Sequence, residues 1–135
     1  MDSTQETEDL LLKELKKIIM STRAQIRFAT REDGVSFSEH PEKINAQFYV
    51  HSDGYPEGLG VDIALSIMYD GIGLRLEIEE LHTKHGDLDY IYYVWQVSGK
   101  TTWISIFKTN TFSDEEKEEC IFVGEPQKLI EKYDG

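Results

Sequence analysis

Apolar and polar positions alternate along much of this chain. At 24–31, Ile26 and Phe28 fall on one side and Arg27 on the other, and at 44–51, Ile44, Ala46, Phe48 and Val50 oppose Gln47, Tyr49 and His51. Period-2 alternation of this kind predicts two strands. Between them Glu32-Asp33-Gly34 has hairpin-turn chemistry, with Val35-Ser36-Phe37 expected to continue on its far side. Residues 88–97 are apolar or aromatic on both faces, the mark of a central strand. Ser98-Gly99-Lys100 turns that strand into a second one at 101–109, with Trp103, Ser105 and Phe107 on one face and Ile104 and Ile106 on the other. Seven of the fifteen aromatics lie in residues 90–112, so this hairpin is expected to form the core of the sheet. Residues 74–81 fit period 2 slightly better than a helix, and Cys120–Val123 reads as a short strand ended by Gly124.

Helical spacing takes over in three places. Leu11, Leu15, Ile18 and Ile19 recur at i, i+4, i+7 and i+8, widened by Leu10 and Leu12, which predicts an amphipathic helix over 7–20. Pro56 suits the first turn of a helix at about 57–69, with Ile63, Ala64, Ile67 and Met68 as its apolar face. Pro126 opens a terminal helix that packs through Leu129, Ile130 and Tyr133. The expected fold class is therefore α+β: a mainly antiparallel sheet with helices packed on one face, a two-layer sandwich. The 135 residues read as one domain, 1–135, with 1–19 as an N-terminal helical extension and 20–135 as the body.

Composition narrows the functional classes. The net charge of -12 opposes general binding to a phosphate backbone, so no nucleic acid partner is expected. Residues 1–9 and 114–119 hold -8 of that charge, which leaves the body only mildly acidic and reads as solubility. No apolar run approaches the roughly 20 residues of a membrane span, and no secretory leader is evident. Cys120 stands alone, which fits a reducing cytoplasm and excludes a cysteine zinc cage. Phosphate-loop and nucleophile-elbow spacings are missing, and His82-Thr83-Lys84-His85 with Asp87 and Asp89 has weak metal spacing, so no metal and no cofactor are expected.

The stretch that looks functional is His51-Ser-Asp53-Gly-Tyr55-Pro-Glu57-Gly-Leu-Gly60, between a strand and a helix. His51 and Asp53, two apart, are expected to point to one side and meet, as an acid–base or ligand-holding pair. Arg23 is expected to bridge a carboxylate such as Asp53 or to bind an anion at the loop. With Tyr55 and Glu57 they form the candidate ligand-binding set; no catalytic residue is assigned. The same glycines and Asp53-Gly54 also serve as turn and close-packing chemistry, so a purely structural loop remains the competing reading.

These residues carry a resemblance. His51-Ser-Asp-Gly-Tyr-Pro-Glu-Gly58 with Gly60, preceded by Met20-Ser-Thr-Arg23, resembles a group of small uncharacterised bacterial and phage proteins that open with Met-(Gly/Ser)-Thr-Arg and carry a His-x-Asp-Gly-Tyr-Pro-x-Gly loop. The likeness continues through Gly86-Asp-Leu-Asp-Tyr90, the hairpin, and Phe122-Val-Gly124-x-Pro126. It implies a phage or prophage origin and transfers no catalytic residue. The nineteen residues ahead of Met20 argue against Ser21 as an N-terminal nucleophile. The resulting expectation is a non-enzymatic cytoplasmic protein binding a small ligand or protein partner through the 51–60 loop. Two alternatives stand beside it: a small hydrolase or metal-dependent enzyme using His51 and Asp53, and an assembly protein that forms a homodimer through helix 7–20.

Overall fold

A computed structural model describes residues 7–12, 22–31, 34–69, 73–74, 76–85, 88–97, 101–109 and 118–134. Six strands form one sheet: β1 Ala24–Thr30, β2 Ile44–Val50, β3 Glu77–Glu79, β4 Tyr90–Gln96, β5 Trp103–Lys108 and β6 Glu119–Gly124, in the order β3-β2-β1-β4-β5-β6. All neighbours are antiparallel except β1 and β4, which run parallel from Ala24↔Tyr90 to Thr30↔Gln96. The fold is α+β with a mostly antiparallel sheet, as the alternation implies. Residues 7–12 are helical; predicted helix residues 13–20 and the turn residues 98–100 lie outside the described residues.

Two helices, α1 Val61–Met68 and α2 Pro126–Tyr133, pack against each other and cover one face. Their Ile63, Ala64 and Leu129 close a core made with Ala24, Ile26, Val50, Tyr92, Val94, Ile104 and Ile106, all buried. The expected helix at 57–69 begins as a π-helical turn, Pro56–Gly60, in which the Val61 N–H reaches back to the Pro56 carbonyl. Gly60 lets this wide turn sit on the sheet, because a Cβ there would touch the Tyr92 ring at 3.4 Å and Leu129 and Ile106 just beyond.

The other face is buried too, by chain without regular structure. β3 is at one edge and β4 near the centre, so the connection from β3 to β4 crosses behind β2 and β1; the Thr83 carbonyl accepts hydrogen bonds from Gln25 (2.8 Å) and Gln47 (3.0 Å) on those strands. Next to it, residues 34–43 fold over β4 and β5. Gly34 does take the left-handed φ of +86° that its turn chemistry implies, but Val35–Phe37 leaves the sheet rather than continuing it as a strand. Both sides of β1 are taken, by β2 and β4, so no edge is open to Val35–Phe37, and the Phe37 ring instead stacks on Trp103 (4.7 Å, 12°) and meets Trp95 edge-on.

The strand expected at 74–81 shortens to Glu77–Glu79. As an edge strand it leaves Ile78 85% exposed, while Leu74 and Leu76 turn in against the helix-side core.

Candidate functional site

Where β2 ends, the chain makes an abrupt turn that is fixed by the body. Gly54 is buried: its N–H donates to the Thr22 carbonyl (3.0 Å) and its carbonyl accepts the Tyr92 hydroxyl (2.6 Å). Burial pushes the Tyr92 phenol well above its ordinary pKa, so it remains a donor. A Cβ at position 54 would lie 2.8 Å from that of Ala24, so only glycine fits. Asp53, one residue earlier, takes φ +57°, a conformation that Asp tolerates better than most side chains.

This turn forms one wall of a cleft of about 470 Å³, lined by Tyr49, Val50, His51, Ser52 and Asp53 from β2 and its exit, Leu59 and Asp62 from the start of the helix, and Gly73, Leu74, Leu76 and Glu77 leading into β3. Val50, Leu59, Leu74 and Leu76 supply an apolar floor, and Asp53, Asp62 and Glu77 supply three carboxylates. Among the described lining residues there is no Lys or Arg.

The sequence-predicted residues separate here. His51 and Asp53 both line the cleft, but the imidazole Nε2 lies 2.8 Å from Glu77 Oε1 and its ring sits edge-on to Tyr49; among the described residues nothing bonds the Asp53 carboxylate. Arg23 immediately precedes β1 and is not part of the cleft lining; its N–H donates to Asp89 Oδ2 (3.0 Å) and its carbonyl accepts from the Asp89 N–H (2.8 Å). Tyr55 shapes the π turn: its carbonyl accepts from Gly58 and Leu59, and its ring packs on Gly58. Glu57 is exposed on that turn, outside the cleft lining. Among the described residues no group of three or more His, Cys, Asp or Glu side chains is placed to hold a metal ion, and no helix is long and apolar enough to cross a membrane.

Comparison with protein families, curated proteins and solved structures finds no match to the chain.

Sequence reasoning missed a second constellation, on the sheet face away from the helices. Glu79 Oε1 accepts from both Gln25 and Gln47 (2.8 Å each), and Glu79 Oε2 pairs with His85 Nε2 (2.6 Å), whose ring stacks on Tyr49. Arg27 continues the chain, donating to Gln25 Oε1 (2.7 Å) and to the Tyr93 phenol oxygen (2.6 Å). The same phenol oxygen lies 2.5 Å from His40 Nδ1, and the other ring nitrogen of His40, Nε2, faces Glu118. From β3 to β4 this spans about 15 Å at about 4.8 Å per strand.

Burial would raise the Glu79 pKa, but the hydrogen bonds from His85, Gln47 and Gln25 and the His85 charge outweigh it and hold it low. The hydrogen bond from His40 holds Glu118 low against its burial. Tyr93 is 1% exposed and its phenol is pushed up by burial despite Arg27, so the network faces the covering segments and fastens them to the sheet. The available signal was glutamine, not lysine, at positions 25 and 47, whose alternation otherwise matches a solvated face.

Proposed function

We propose that this chain is a binding protein whose cleft beside the 51–53 turn takes a positively charged group carried on an apolar body, an amine or the basic side chain of a partner. The observation that carries the reading is the lining: three carboxylates over an aliphatic floor, with no described cation among them. The volume of about 470 Å³ lies in the range of small-ligand sites, in which an apolar surface gives affinity and a few polar groups orient the ligand. Asp53, Asp62 and Glu77 set the sign of the charge that is attracted, and His51 is tied to one of them. A prophage-type cytoplasmic setting is part of this reading, supported by the loop resemblance and the single cysteine.

The test is titration of the protein with n-hexylamine, and with n-hexanoate as the control, followed by NMR. Shifts at His51, Leu59 and Leu74 with the amine alone are expected. Asp62→Asn or Glu77→Gln should weaken binding about fivefold, the worth of one charge about 4 Å away in a near-aqueous medium, and His51→Ala should leave stability within about 0.5 kcal/mol, since the His51–Glu77 pair is 61% exposed on both sides. Equal binding of hexanoate, or unaltered amine binding in both carboxamide variants, refutes the reading.

A further inference from the structure

The helical residues 7–12 present Leu10, Leu11 and Leu12 at 61%, 60% and 57% exposure. Successive helical side chains point about 100° apart, so these three leucines leave three directions around that turn more than half open. The same segment inverts the charge of the rest of the protein. Lys13, Lys16 and Lys17 against Glu14 give residues 10–19 a charge of +2, and everything outside them sums to -14. It joins the body at Thr22, whose carbonyl is bonded to Gly54, so the chain leaves beside the turn that walls the acidic cleft.

We propose that residues 7–19 of one chain seat in the cleft of a second copy, and that the exchange is reciprocal. The inference rests on the binding reading of the cleft and names its partner: the lysines are the cations and the Leu/Ile stripe is the apolar body. Leu11 stands on the described helical turn, and Leu15 and Ile18 follow it in the sequence at i+4 and i+7, the spacing by which amphipathic segments anchor in grooves. Two-fold symmetry fits the placement, because each cleft lies beside the point where its own segment departs, so both crossings occur on one shared face. Two bodies this acidic repel each other, and the basic segment offsets that repulsion.

Sedimentation equilibrium of the full chain, from about 1 to 200 μM in low and high salt, tests this. The expected result is a dimer of about 31 kDa, twice the 15.6 kDa chain, that weakens at least tenfold in high salt. Leu11→Asp, which alters an exposed residue, and Asp62→Lys in the cleft should each give monomer. Adding Lys16→Glu with Lys17→Glu to Asp62→Lys should restore dimer. A chain that is monomeric throughout the range, or a dimer indifferent to Leu11→Asp and Asp62→Lys, overturns the exchange. Titrating n-hexylamine into the Leu11→Asp protein separates the two claims: amine binding by a full chain that never dimerises overturns the exchange and keeps the cleft reading, whereas no amine binding overturns both.

Discussion

Replacing Glu79 gives the most direct measure of what fastens the β3–β4 crossover to the sheet. Its carboxylate accepts from Gln25, Gln47 and His85, and the two glutamines are 0% and 1% exposed, so water cannot replace the lost acceptor. In Glu79→Ala each amide keeps its second bond, to the Thr83 carbonyl, and loses one. An orphaned buried donor costs roughly 1–3 kcal/mol, while His85, with 25% of its side chain exposed, is largely resolvated. The expected loss is about 3 kcal/mol, or about 1.5 M in the urea midpoint at an m-value of about 2 kcal/mol/M. Glu79→Gln keeps an acceptor toward both amides and should lose no more than about 1 kcal/mol. The pair also separates by pH. A carboxyl whose folded pKa is depressed contributes stability above its unfolded value, near 4.5, and loses that contribution as the pH falls through the folded value. Wild-type stability should therefore fall below about pH 4.5 more steeply than that of Glu79→Gln. Equal midpoints for the two variants at neutral pH, or a loss under about 0.5 kcal/mol in Glu79→Ala, refute the reasoning.

Two further outcomes are expected at the loop. Gly54→Ala brings a Cβ within 2.8 Å of the Ala24 side chain and 3.0 Å of the Thr22 carbonyl, which should destabilise by about 1–3 kcal/mol in a thermal melt. Tyr92→Phe removes a buried donor from the Gly54 carbonyl and should cost about 1–2 kcal/mol; in wild type, spectrophotometric titration should find this phenol silent until the protein unfolds in alkali.

Much of the architecture was legible in the sequence because burial on one face writes itself as alternation: Ile26 and Phe28, Phe48 and Val50, Ile104 and Ile106 all face the helices, and Leu129 falls where the terminal helix meets the core. The second buried face was not legible. Gln25, Arg27, Gln47 and Glu79 alternate like solvent-facing residues, but Thr83 and His85 close over the two glutamines and Glu79, and Tyr93 takes Arg27. Ile78 departs in the opposite direction, apolar by pattern and 85% exposed on the edge strand. At the site, residues 51–60 run from the end of β2 through the π turn into the helix, but the spacing of His51 and Asp53 does not reveal that Glu77 on β3 takes the imidazole.

The parallel pairing of β1 with β4 divides the chain into two contiguous halves. Strands β3-β2-β1 with α1 come from the first half and β4-β5-β6 with α2 from the second, so each is a local three-stranded unit, and within the sheet a single seam joins them, with register partners 66 residues apart. During synthesis the first half emerges with its β1 edge bare until Tyr90–Gln96 follows, and an unpaired edge is a template for pairing with the wrong chain. The crossover that Gln25 and Gln47 hold is also the tether that delivers β4 to that edge. Its fastening thus guards the assembly of the sheet as well as its finished stability.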